Sequence, residues 1–252
     1  MKTIYLIFVI LFLCHCSQRK STSTNNNPIK IRSFNSSFES VNDFSGFYIT
    51  PQNTTNSSHE LSTEHIHSGT YAHKGWIYGV NDPSTVNINN NHRAYPTIQL
   101  YKSSGGAFKT PSLIEFWVWL DVKLTTGQWF SFATLDHTTS DVWDAVLINL
   151  SDQGFVHLMH VPLVGQGIRK FQTSTIKFPF QTWVKLSIEI HFDPTNGYAK
   201  VWQNDELVSY AEVKRGNGFL TQAHFGLYGP PDLSSGTIYN DDLVIKENTT
   251  KN

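Results

Sequence analysis

Along most of this chain apolar and polar side chains alternate with a period of two, and a helical period is hard to find. Residues 113–121 set Ile114, Phe116, Val118 and Leu120 on one face and Glu115, Trp117, Trp119 and Asp121 on the other. A strand with tryptophans on its second face is covered there or binds something. The alternation predicts further strands at 129–135, 145–149, 155–161, 183–192, 198–203, 207–213, 223–228 and 237–246. Turn signals separate them: Thr126-Gly127, Asp152-Gln153-Gly154, Asp193 to Gly197, Asn204-Asp205 and Gly229-Pro230-Pro231. Strands at this spacing, without helices between them, predict an all-β fold, an antiparallel two-sheet sandwich or jelly roll.

The N-terminus breaks the pattern. Ile4 to Leu13 is an uninterrupted apolar run behind Lys2, the length of a signal-peptide core and too short to span a bilayer comfortably. Cys14 and Cys16 close it, and no cysteine follows. The expected organisation is a signal peptide over 1–16, a Ser/Thr/Asn-rich tether over 17–27 and a single β domain over 28–252. A cysteine at this place resembles a bacterial lipoprotein leader, with His15 standing where such leaders prefer a small residue. The resemblance implies lipidation of Cys16, export, and an outer-membrane or cell-surface location, otherwise a periplasmic or secreted one. Any membrane contact would then run through the lipid alone.

Without disulfides, the core or a bound metal must carry stability. Aromatics make up 13% of the chain, with 7 Trp, and charged residues only 15%. The formal net charge of -1 offers no electrostatic basis for nucleic-acid binding. Flat aromatic faces suit sugar rings, and a monomer acting on a saccharide is the expected state. Serine-hydrolase, phosphate-loop and dinucleotide fingerprints are absent. So are paired carboxylates of the glucanase kind and a His-Glu-x-x-His motif, and His65 and His67 lack an evident third ligand.

The run from Trp183 through the Asp193 to Gly197 turn to Val208 resembles the back sheet of concanavalin A-like jelly rolls. So do Gly236 to Ile245, similar to their closing strand, and His67 to His73, similar to their early Ser-Gly-aromatic strand. That resemblance implies a structural calcium ion held by Glu39, Asp43, Ser68 and Asp241, tying the N-terminal segment to the last strand. Gln222-Ala-His224-Phe-Gly226-Leu-Tyr228 is similar to the Tyr-x-Lys-x-Gly-x-Tyr strand of alginate-lyase-type jelly rolls, with His224 at the Lys, Gly226 at the Gly and Tyr228 at the second Tyr. Gln222 replaces the first Tyr. Gly226 would leave room for a ligand to reach the backbone.

Phe155-Val-His157-Leu-Met-His160 offers two histidines where such lyases present one, with Phe155 in place of their usual Gln. Arg93, Tyr95, Gln99, Lys109 and Arg169 supply cations and polar groups for the same groove, and Trp143 a stacking platform. The chemistry that matches Tyr, His and Arg without paired carboxylates is β-elimination at a uronic acid. Arg93 or Lys109 would neutralise the carboxylate, His160 or His157 would take the C5 proton, and Tyr228 would serve the leaving oxygen. His157, His224, Trp143, Asn149, Arg169, Tyr95 and Gln99 would bind substrate. The resemblance thus implies a polysaccharide lyase, of the alginate or ulvan kind, or an oligosaccharide dehydratase on the same scaffold. The rival expectation is a non-catalytic carbohydrate-binding protein, whose groove would be lined by Trp without a convergence of His160, Tyr228 and a cation from Arg93 or Lys109.

Overall fold

The computed structural model describes residues 31–41, 43, 47–48, 55–81, 90–139, 144–162 and 167–251, so the leader expected over 1–16 with Cys16, the tether expected over 17–27 and Trp143 fall outside the described residues. In chain order the strands are β1 (Ser33–Ser36), β2 (Phe47–Tyr48), β3 (Ser57–Ser62), β4 (Ala72–Ile77), β5 (His92–Ala94), β6 (Thr97–Ile98), β7 (Phe108–Lys109), β8 (Ser112–Asp121) and β9 (Trp129–Asp136). They continue as β10 (Ala145–Ser151), β11 (Val156–Val161), β12 (Arg169–Phe171), β13 (Trp183–His191), β14 (Tyr198–Gln203), β15 (Glu206–Glu212), β16 (Phe219–Leu220), β17 (Gln222–Gly229) and β18 (Gly236–Lys246). The back sheet runs β15-β14-β13-β8-β18-β4-β3, with β1 also on β18. The front sheet runs β12-β11-β10-β9-β17-β6-β2, with β5 also on β17, and β7 and β16 form a small ribbon. Neighbouring strands in both sheets are antiparallel, and the fold is the two-sheet jelly roll that the alternation predicts.

The core lies between the sheets. From the back sheet, Ile114, Phe116, Val118 and Leu120 of β8 and Val184, Leu186, Ile188 and Ile190 of β13 point inward and are fully buried. Phe130 and Phe132 of β9, Val156 and Leu158 of β11 and Phe225 of β17 meet them from the front sheet, with Phe116 edge-on to Phe225 at 5.1 Å. Each such side chain contributes about 1.5–3 kcal/mol of transfer free energy. On the outer face of β8 the tryptophans are covered: His67 stacks on Trp117 at 3.9 Å and His65 on Trp119 at 3.8 Å.

The segment from His67 to Tyr71, expected as an early strand, is instead a bend, and the strand begins at Ala72. Gly69 there has φ +68°, and the Glu39 carboxylate occupies the place that a Cβ would take. The backbone therefore folds around a side chain from the N-terminal segment rather than extending.

Candidate active site

The outer face of the front sheet holds a cavity of about 600 Å³. One row of the sheet crosses its floor. Across five adjacent strands the register pairs His157 (β11) with Asn149 (β10), Asn149 with Ser131 (β9), Ser131 with Tyr228 (β17) and Tyr228 with Arg93 (β5). Four of these five residues, all but Ser131, line the cavity. Ser131 instead turns its hydroxyl to the carbonyls of Ala133 and Ile148. Register shifts on both flanks of β9, between Ile148 and Asn149 and between Phe225 and Tyr228, bring the row into line. Gly226 sits at the second shift with φ +137°. The space beside it is filled by Ala94, Tyr95 and His73 rather than left for a ligand.

Each polar member of the row has a defined state. Tyr228 accepts a hydrogen bond from Asn91 Nδ2 at 2.8 Å, has the Arg93 guanidinium 5.2 Å from its ring centre, and packs edge-on to Trp129 at 5.0 Å. His157 Nδ1 lies 3.2 Å from the Phe155 carbonyl, which can only accept, so Nδ1 carries the proton and Nε2 is left with its lone pair. Burial pushes His157 down to about 4, and it is neutral at pH 7. Asn149 is fully buried, and its Oδ1 has no hydrogen-bond partner. An amide in that position has unspent hydrogen-bonding capacity for whatever enters the cavity. His224, pushed down to about 3 by burial, stacks on Tyr95 at 4.5 Å, and burial raises the Tyr95 phenol well above its ordinary value. Both are neutral walls of the site.

Several residues expected in the groove lie elsewhere. His160 is on the opposite face of β11 from His157 and bonds Asp144 Oδ1 through Nε2 at 2.8 Å, both side chains being buried. Lys109 sits in the β7–β16 ribbon, where its backbone N–H donates to Glu247, and it does not line the cavity. Arg169 does not line it either, because its neighbour Lys170 takes the inward position on β12. Gln99 is outside it, preceding the short 3-10 turn Leu100–Lys102. Gln222 is buried beside Thr138. Among the cavity residues that the sequence did not single out are Asn91, Trp129, Thr134, Leu147, Met159 and Lys170. Asn91 stands two positions before Arg93 on the same run, which is the one signal that pointed to it.

The four residues expected to hold calcium gather around the 67–70 turn. Asp241 accepts the N–H groups of His67 (3.0 Å), Ser68 (3.1 Å) and Asp242 (2.8 Å), and Glu39 accepts that of Thr70 (2.9 Å). Asp43 takes the Glu39 N–H at 2.7 Å, and the Ser68 hydroxyl donates to Asp242. N-terminal segment and last strand are thus clasped to one turn by carboxylate-to-amide hydrogen bonds. Calcium prefers a ring of oxygens to N–H donors, so an ion could enter only where these carboxylates exchange amides for metal. Among the described residues no cluster of three or more His, Cys, Asp or Glu is arranged to hold a metal.

No protein-family model matches the chain, and no curated protein sequence matches it. Solved structures do. An endo-β-1,4-glucuronan lyase from the fungus Trichoderma reesei superposes with a TM-score of 0.57 at 13% identity, over 79% of this chain and 90% of that one. A family 7 alginate lyase, solved with substrate after one His was changed to Asn and one Tyr to Phe, gives 0.53 at 14% identity over 81% and 85%. A cellulose-induced protein gives 0.59 at 15% identity over 84% and 96%. The likeness is one of fold: the chain is a jelly roll of the kind that polysaccharide lyases use.

Proposed function

We propose that this protein is a carbon-oxygen lyase that carries out β-elimination at a uronic acid residue of an acidic polysaccharide or its oligosaccharides. The observation that carries the reading is the His157, Asn149, Tyr228 and Arg93 row on the cavity floor. Arg93 and the Nδ2 hydrogens of Asn149, whose contact on the protein side is a long one to the Met159 sulfur at 4.0 Å, would hold the substrate carboxylate and stabilise the charge that spreads onto it as C5 loses its proton. His157 Nε2, the free lone pair, would take that proton. The C5–H electron pair becomes the C4=C5 bond as the C4–O bond breaks, and Tyr228 protonates the departing oxygen. With a glycosyl leaving group the enzyme is a lyase; with a chain-end hydroxyl the same steps make it a dehydratase. The fold it shares with glucuronan and alginate lyases supports the reaction class, and an ulvan-type glycan, taken after its sulfate has been removed, is the narrower proposal for substrate.

The binding-only alternative called for a Trp-lined groove without such a cluster. Trp129 is the single Trp lining the cavity among the described residues, and Tyr228 and Arg93 line it with His157 in place of the expected His160. The test is to incubate wild-type protein and Tyr228→Phe with a panel of uronate polysaccharides and oligosaccharides, following unsaturated-uronate absorbance. Losing one proton-transfer group should cut the rate by about 10²–10⁴-fold with folding intact. A wild-type protein that binds these sugars yet yields no unsaturated product would restore the binding-only reading.

We also propose that calcium, where present, reinforces the clasp at Glu39, Asp43, Ser68 and Asp241. Asp241 supports this, being fully buried and pushed up to about 6 by that burial, a cost that a cation would relieve. A chelator should lower Tm and added calcium restore it. An unchanged melting curve would leave the amide hydrogen bonds as the whole clasp.

A further inference from the structure

Taking the lyase reading as its base, we infer that the sugar beside the reacting uronate carries no charge and lies with an apolar face, such as the methyl edge of a 6-deoxyhexose, on Leu147 and Met159. Next to the polar row the register sets a second one: His224, Thr134, Leu147, Met159 and Lys170. All five line the cavity, and Ala145, Val161 and Ile168 extend its apolar part. Rows on one face of a sheet stand roughly 7 Å apart, two residues of strand, which is close to the length of one sugar ring. A ring next to the one held by Arg93 and Asn149 therefore meets methyl and thioether groups.

A polyuronate would place a carboxylate on that surface, and a sulfated sugar would place a sulfate there. Either ion loses hydration against an apolar floor and must be paired to be tolerated. Every Lys and Arg between residues 31 and 252 lies among the described residues, since the undescribed stretches in that span contain neither. Of these cations, Arg93 and Lys170 line the cavity, and Arg93 belongs to the reacting row. Lys170 stands exposed on β12, the edge strand of the sheet, where water and salt screen its charge. Asp152, at the other end of the cavity and bonded to the Gly127 N–H, adds repulsion rather than pairing. The groove is built for one anion at a time.

Tyr228→Phe protein, in which turnover is blocked, should be titrated calorimetrically with three matched tetrasaccharides: glucuronate alternating with 6-deoxyhexose, the same with sulfate on the deoxy sugar, and oligoglucuronate. The first should bind at least tenfold more tightly than the other two. Met159→Lys, a change at a half-buried position checked by its melting curve, should narrow or reverse that preference. Equal or tighter binding of oligoglucuronate or of the sulfated sugar overturns the inference, as does no binding to any of the three. Wild-type product assays separate this from the reaction itself: preference without unsaturated product defeats the lyase reading alone, and product without preference defeats the inference alone.

Discussion

His157 and His160 stand three positions apart on one strand and have opposite roles, because an odd spacing in a strand puts side chains on opposite faces. Val156 and Leu158 point into the core, which turns His157 to the cavity and His160 away to Asp144. The choice between them was not legible in the sequence, since Met159 and Val161 make the groove face apolar as well and blur the phase of the alternation. His157→Ala should therefore lower kcat by about 10²–10⁴-fold, while His160→Ala should leave kcat near wild type and cost about 1–3 kcal/mol of stability by stranding part of a buried carboxylate's bonding. With His157 held near 4, the acid limb of kcat/KM should fall near pH 4 rather than near the ordinary histidine value of 6.5. A limb near 6.5, or full activity in His157→Ala, would remove His157 as the base.

At the scale of elements, the predicted strands at 113–121, 129–135, 198–203 and 237–246 recur within a residue or two of their observed bounds, because each alternates over a length that only a half-covered strand allows. Most of the elements that escaped are short; β3, six residues long, escaped because Ser-Ser-His-Glu-Leu-Ser is too polar to alternate. β5, β6 and β12 have two or three residues each, too few for a period to show, and they carry Arg93 and Lys170. The same brevity hid which of Arg169 and Lys170 faces the groove. Bulges are equally invisible to a period-two reading, yet the one at Gly226 sets the register of Tyr228 against β9. Gly226→Ala tests this: its Cβ would stand 2.9 Å from the Ala94 carbonyl oxygen and from Tyr95 Cβ, at a φ that side chains avoid. A loss of about 1–3 kcal/mol is expected, with activity falling further than occupancy of the folded state explains. A variant as stable and active as wild type would show that the bulge does not position the site.

For the whole molecule, burial of histidines sets the response to acid. His59, His73, His92, His157, His160 and His224 are held below their ordinary value chiefly by desolvation, with His73 and His224 the most enclosed. The unfolded chain then binds protons that the folded one refuses, so stability is lost as pH falls below about 6.5 and goes on falling toward the folded values, about 4 for His157 and about 3 for His224. Asp136 and Asp241 act in the other direction. Burial raises both to about 6, so between about 6 and their ordinary 3.8 the folded state takes up protons first and gains stability. Six groups lose where two gain, and the histidine losses begin at higher pH and extend lower. Below about 4.5 the loss steepens, since Glu115 and Glu189 are held low by their lysine and tyrosine partners against the opposing cost of burial, and protonation breaks those pairings. The expected outcome is a Tm that is highest near neutrality and falls steadily from pH 6.5 to 4, with net proton uptake on unfolding throughout that range. Thermal melts across pH, converted to protons bound per unfolding event, check it: zero or negative uptake at pH 5.5 would mean that the two aspartates outweigh the buried histidines.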